Sequence, residues 1–333
     1  MYYIIAPLGL SLIIALLLGK ILIPFLKSKK LGQKILDIGP RWHKSKEGTP
    51  VMGGILFISG IFVAILIFGF LFTGDSDEGY ILPTRSGLAL IYTFAMALCC
   101  AIIGFLDDYA KLMKKQNEGL TQIQKLALQF PVSIAYVILM RHIGIVTSEL
   151  FIPFANINVD LSVFYYIFLV FGMVYIMNCV NLTDGVDGLC GTVTAIIMVM
   201  FIILFYIAGN TPGIILTSAC LGGIIGFLYY NFYPAKVFMG DTGSLFLGGM
   251  VSGIAIWLNI PLLLVLFGII YIVEGLSSMI QTTYYKMTKK RVFKMAPIHH
   301  HFEMCGWSET KIVTVAAVIT IIGAVITILA KIL

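Results

Sequence analysis

Charge is what this sequence has least of. Lys, Arg, Asp and Glu make up 11% of its 333 residues, against about 25% in a typical water-soluble domain. A soluble globular protein of this length needs a more charged surface, so that class is excluded and lipid becomes the expected solvent. Paired cysteines are missing too. Cys99, Cys100, Cys179, Cys190, Cys220 and Cys305 lie mostly in apolar runs without CxxC spacing. They read as small packing residues rather than disulfides or metal ligands. The first apolar stretch has no basic segment before it and no small-residue cleavage site, which makes it a retained helix rather than a signal peptide. Repeats, low-complexity tracts and segments suited to a separate soluble domain are also lacking, so residues 1–333 are expected to form one transmembrane domain.

Apolar residues supply 59% of the chain. Runs suited to a membrane span of about 20 residues fall near 3–25, 51–73, 87–106, 122–140, 161–181, 189–209, 212–232, 243–258, 260–284 and 310–332. The expected fold is all-α, a polytopic integral membrane protein of about ten transmembrane helices. Sixteen of the 22 basic residues fall in the connections 26–50, 107–121, 233–242 and 285–309. The opposite loops hold only Arg85 and Arg141, beside the acidic segment 74–79. The positive-inside rule makes the basic side cytoplasmic and puts both termini outside the cytoplasm.

The acids do not follow from any orientation rule. Asp107, Asp108, Asp184, Asp187 and Asp241 all fall on the basic side, near helix ends, where an ionised group costs less than at the bilayer centre. The lysines there are explained by orientation and anionic lipid; the aspartates point to a site. In FLDDYAK, Asp107 and Asp108 precede Lys111 by four and three residues, within reach of it on a helix. Adjacent carboxylates repel, so one keeps a proton or both share a cation. A capped helix end with a surface ion pair reads this motif equally well. In NLTDGVDGL, Gly185 and Gly188 let backbone approach a ligand while Asn181, Asp184 and Asp187 surround it with hard oxygens. A polar tight turn is the plain alternative; Ala195 at the twelfth position excludes an EF-hand. In VFMGDTGSLFLGG, Asp241, Thr242 and Ser244 open an apolar run whose free helix amides suit a phosphate, with Asp241 placed to hold an accompanying metal. In MAPIHHHFE, His299, His300 and His301 follow Pro297. Three neighbours on one short segment do not easily ligate one metal, so hydrogen bonding to substrate is expected.

Together with HKSKEGTPVMGG and YYNFYPAKVFMGDTGS, these segments resemble the polyprenyl-phosphate N-acetylhexosamine-1-phosphate transferases. Within them, HHHFE is similar to the phospho-N-acetylmuramoyl-pentapeptide-transferases rather than to N-acetylglucosamine-using relatives. One position departs: Val51 stands where the family loop GTPTMGG has its second threonine. The resemblance implies Mg²⁺-dependent transfer of phospho-N-acetylmuramoyl-pentapeptide from UDP to undecaprenyl phosphate, giving lipid I and UMP. It implies a bacterial plasma membrane location with the active site facing the cytoplasm. By the same resemblance Asp241 holds the metal, Asp107 activates the lipid phosphate, Asp108 assists with charge and positioning, and His299 joins the catalytic set. Lys46, Asn181, Asp184, Gly185, Asn231 and Phe238 match uridine-binding positions, with Phe238 able to stack on the base. Lys111, Lys125, Asp187, Gln281, His300 and His301 would contact sugar, phosphates or their surroundings. Direct attack by the lipid phosphate is favoured over a covalent carboxylate intermediate. Partners are UDP-MurNAc-pentapeptide, undecaprenyl phosphate and membrane lipid, with no nucleic acid; a homodimer is left open. Two alternatives stand beside this: a transferase for UDP-N-acetylglucosamine, and a secondary transporter, for which Glu274 is the sole charge near the bilayer midplane.

Overall fold

The computed structural model describes residues 1–28, 46, 48–69, 84–114, 119–155 and 157–332. Lys29, Lys30, Lys34, Arg41, Lys44 and Lys115, His43 of the upstream motif, and the acidic segment 74–79 lie outside them.

Twelve α-helices are found among the described residues, in the order α1 (Tyr2–Ser28), α2 (Gly54–Ala64), α3 (Arg85–Lys114), α4 (Gln122–His142), α5 (Val163–Thr183), α6 (Leu189–Ile207), α7 (Thr211–Asn231), α8 (Gly240–Trp257), α9 (Leu264–Phe267), α10 (Ile269–Thr288), α11 (Ile298–Met304) and α12 (Glu309–Ile332). A π-helical turn, Ile65–Gly69, continues α2. Local chemistry sets several starts. Thr121 and Gln124 form a reciprocal capping box at α4. At α7 the Asn210 side chain accepts from the Gly213 amide, with proline in the first turn.

One element departs from an all-helical chain. β1 (Glu149–Ile152) and β2 (Ile157–Asp160) pair antiparallel, Glu149 opposite Asp160. Each strand has four residues, too short for a period-two pattern to stand out from a loop.

Each expected span overlies a helix where it is described, residues 70–73 of the second lying outside the described residues, and among the described residues seven helices are long and apolar enough to cross a membrane: α1, α3, α4, α5, α6, α7 and α12. The other three fall short for visible reasons. The α2 helix has 11 residues before its π turn, α8 is rich in glycine and carries Asp241 in its first turn, and α10 carries Glu274 and Lys286.

Burial orders the bundle. In α7, 89% of the most apolar window is buried, against 22% in α1 and 33% in α12. Every residue of α8 from Thr242 to Trp257 is buried. Helices α7 and α8 are therefore the centre, with α1 packed along α7 and α3 along α8. The outer helices keep large apolar side chains exposed, among them Ile13, Leu17, Ile21 and Phe25 on α1, a surface suited to lipid. Four of the six cysteines (Cys100, Cys179, Cys190 and Cys220) are buried, and all six are free.

Small residues bring the helices together. A Cβ added at Gly222 of α7 would overlap the Leu8 carbonyl of α1. Gly172, by contrast, has open space around its Cβ position. Gly222→Leu should therefore lower the detergent melting midpoint and the monodisperse yield, a destabilisation of about 1–3 kcal/mol or more. Gly172→Ala should leave both unchanged. An unaltered midpoint in Gly222→Leu would contradict backbone-to-backbone packing of α1 on α7.

Candidate active site

Asp107 and Asp108 lie in the last turns of α3, and Asp241 is the second residue of α8. The two helices come close there because residue 104 is glycine: a Cβ would overlap the Asp241 carbonyl. Asp108 crosses this gap. Its Oδ1 accepts from the Asp241 amide at 3.1 Å, and its Oδ2 from the Thr242 amide at 2.9 Å and the Thr242 hydroxyl at 2.7 Å. Asp108 thus caps α8 from another helix, a role usually filled by the residue just before the first turn. Two expectations are corrected. The amides of Asp241 and Thr242 are not free for a phosphate, and Asp108 turns to α8 while Asp107 alone pairs with Lys111.

Asp107 is fully buried. Its Oδ1 accepts from the Leu120 amide at 2.7 Å; its Oδ2 lies 2.6 Å from Lys111 Nζ and 3.2 Å from Lys125 Nζ. Asp241 shares both lysines, with Oδ2 2.6 Å from Lys125 and 3.2 Å from Lys111. Its Oδ1 accepts from Asn181 Nδ2 at 2.9 Å, and that same amide donates to Ser244 Oγ at 2.8 Å. Two lysines are therefore clamped between two carboxylates, as charges removed from water must be. The Asp241 side chain is 15% exposed against 0% for Asp107, so Asp241 is the more open of the two.

Ligand oxygens of Asp107, Asp108 and Asp241 lie within 4.8 Å of one another. Three hard carboxylates so placed fit a divalent cation such as Mg²⁺. Asp184, just past α5, faces the same cluster. Burial, then the charges of Asp241 and Asp108, hold its carboxyl well above the ordinary aspartate range.

A second cluster lies on the α5–α6 turn. Lys46 Nζ is 2.7 Å from Asp187 and 2.6 Å from Glu309. Burial works against the Lys46 charge, but these bonds outweigh it and keep its pKa above the usual lysine value. Glu309 also accepts from the Asp187 amide at 3.0 Å. The Gly188 amide donates to Asn231 Oδ1 at 3.0 Å, and Asn231 Nδ2 donates to the Val237 carbonyl at 2.9 Å. The 187 and 188 amides of the glycine turn are thus committed within the protein. Glu309 was not singled out from sequence, because an acid opening a helix reads as a dipole partner. Phe238 is half-buried and held to the 50–53 segment through its own backbone, donating to the Pro50 carbonyl and accepting from the Gly53 amide, both at 2.8 Å.

The histidines part ways. His299 Nδ1 lies 2.9 Å from Glu274 Oε2 and His300 Nδ1 2.6 Å from Glu303 Oε2. His301 Nδ1 accepts from the Lys294 amide at 3.1 Å. Gln281 braces the same segment, its Oε1 accepting from the Val292 and Phe293 amides at 3.0 Å. Glu274, the one charge a transport path could have used, is buried and held by His299.

Asp184 carries a pH prediction. An acid whose folded pKa exceeds its unfolded value favours the fold when protonated, and its penalty grows as pH rises through that interval. Asp184→Asn should therefore raise the melting midpoint at neutral and alkaline pH, and progressively less toward acid. A gain independent of pH, or a loss at neutral pH, would show that burial and the neighbouring charges do not raise the Asp184 pKa.

With this geometry in hand, comparison with known proteins is informative. The family profile described as Glycosyl transferase family 4 matches residues 90–259, a stretch that includes Asp107, Asp108, Lys111, Lys125, Asn181, Asp184, Asp187, Asn231 and Asp241. The chain is 44% identical over 314 residues, 94% of itself and 91% of the relative, to a protein named phospho-N-acetylmuramoyl-pentapeptide-transferase from Clostridium botulinum (strain Alaska E43 / Type E3). It is 44% identical to the protein of that name from Clostridium perfringens (strain 13 / Type A), covering 94% of each chain. For that of Staphylococcus epidermidis (strain ATCC 12228 / FDA PCI 1200) the identity is 43% and the coverage 92% of each. Identity at this level over nearly the whole of both chains places the protein in a family: it belongs to the phospho-N-acetylmuramoyl-pentapeptide-transferases, within glycosyl transferase family 4.

Proposed function

We propose that this membrane protein transfers phospho-N-acetylmuramoyl-pentapeptide from its UDP carrier to undecaprenyl phosphate, releasing UMP and forming lipid I. The observation that carries the reading is the cluster of Asp107, Asp108, Asp241, Lys111 and Lys125 at one end of an apolar bundle, in a chain of that family.

In the reaction, an oxygen of the lipid phosphate bonds to the sugar-bearing phosphorus of the diphosphate, and the bond from that phosphorus to the oxygen of UMP breaks. Two polyanions must meet, so charge compensation and in-line positioning are the main requirements. Lys111 and Lys125 supply positive charge between Asp107 and Asp241. Mg²⁺, held by Asp241 with Asp107 and Asp108 beside it, would add the charge that offsets repulsion between the substrates. Asp108 fixes where Asp241 stands, through the first turn of α8. Asp107 orients the lipid phosphate or takes its proton. Lys46, Asn181, Asp184, Gly185, Asn231 and Phe238 receive the uridine end, with Asp187, Gln281 and the histidines toward the sugar. The apolar helix faces offer the polyprenyl tail a path in from lipid.

In this reading all ten spans cross a bacterial plasma membrane, both termini are outside, and the carboxylate cluster faces the cytoplasm, where the soluble nucleotide is found. A reporter fused after Leu333 should be active outside the cytoplasm and one inserted beside Lys289 inside; the reverse pattern rules the reading out. Asp241→Asn should abolish Mg²⁺-dependent UMP release, a loss of about a hundredfold or more, with an unchanged elution profile. Near-normal turnover with normal Mg²⁺ dependence would mean that the metal is held elsewhere.

A further inference from the structure

Glu274 is a buried carboxylate that the reaction outlined above does not use. It lies in α10, 25 residues before the histidine it meets. One oxygen, Oε2, faces both the His299 amide at 3.4 Å and His299 Nδ1 at 2.9 Å. The backbone amide is an obligate donor, so Oε2 accepts there. A carboxylate that also accepts from the ring requires the proton on Nδ1.

That fixes the other nitrogen. Nε2 is buried and has no hydrogen-bond partner among the described residues. It is aimed at Gly185, where a Cβ would overlap it. Gly185 itself is exposed and follows Asp184, which feels the charges of Asp241 and Asp108. The unpartnered nitrogen therefore stands behind a bare glycine at the edge of the carboxylate cluster. The His299 and Glu274 side chains are only 1% and 4% exposed, so neither ring nor carboxylate is a surface pair. A carboxylate holding one imidazole nitrogen so that the other meets a ligand is a recurrent arrangement in metal sites and hydrolases.

We propose that Glu274 is a positioning residue: by accepting Nδ1–H it holds His299 in the tautomer whose bare Nε2 accepts a hydrogen bond from an O–H or N–H of the sugar-bearing substrate. This rests on the transferase reading for the identity of that substrate, and on geometry alone for the tautomer. Gly185 then serves two ends, since any side chain there would cover the acceptor.

The test uses the full-length protein labelled with ¹⁵N-histidine, whose five histidines are few enough to assign His299 by difference from His299→Gln. The expected result is a bare Nε2 and a protonated Nδ1. In Glu274→Gln the side-chain amide can donate to Nδ1, so the Nε2-protonated form should appear. With UDP-MurNAc-pentapeptide, kcat of Glu274→Gln should fall about tenfold or more, with a smaller change in KM. Added to His299→Gln, it should cost nothing further. A proton on Nε2 in the wild-type protein overturns the proposal, as does Glu274→Gln with an unchanged tautomer and wild-type kcat. If Glu274→Gln does not fold, the wild-type spectrum decides alone. A protein inactive on every nucleotide sugar would defeat the transferase reading and leave the tautomer result standing.

Discussion

Asp108 accepts three hydrogen bonds from the first turn of α8 while belonging to α3. In a bundle where most polar groups would face lipid or packed side chains, an uncapped helix start and an unpaired carboxylate are each costly. This contact satisfies both at once. Gly104 brings the two helices close enough for it, and the central position of α8 makes the joint rigid. The preceding residue, Asp107, is thereby left to the lysines, and Asp241 is presented to them on the first turn of α8. Two adjacent, chemically identical acids acquire different tasks because the helix turns about 100° between them.

Salt bridges and hydrogen bonds then extend outward from this joint. Lys111 and Lys125 lie between Asp107 and Asp241; Lys46 lies between Asp187 and Glu309; His299 meets Glu274. Most of these contacts join different elements, α3 and α4 to α8, residue 46 to the α5–α6 turn and α12, and α10 to α11, so side chains hold the polar end of the bundle while apolar packing holds the rest. Such an end suits substrates that are themselves anionic, since incoming phosphates and a cation can exchange partners with the lysines and carboxylates already in contact there.

Much of the fold was legible because the apolar runs are long: every expected span overlies a helix. The central place of α8 was not legible, since its glycine-rich, weakly apolar run looked only like a short span. The β1–β2 hairpin was not legible, since four-residue strands carry too little pattern. At the site, the aspartates were visible as charges with no orientation reason to be there, whereas the lysines read first as orientation signals. Their partners were not. Asp108 and Thr242 are 134 residues apart, and Lys46 and Glu309 are 263 apart, so no local spacing reveals those bonds. The expected free amides at α8 failed for the same reason, the cap coming from another helix. Glu274 was visible only as a charge in an apolar run, the one residue a transport reading could have used; the structure supplies His299 as its partner.

The central claim is that this polar end recognises a muramoyl nucleotide and hands its phospho-sugar to a lipid phosphate. UMP release by the purified protein, with polyprenyl phosphate and either UDP-MurNAc-pentapeptide or UDP-N-acetylglucosamine, tests it most directly. The account predicts rapid, Mg²⁺-dependent release from the first and little from the second. Equal release from both, or none from UDP-MurNAc-pentapeptide, would contradict it.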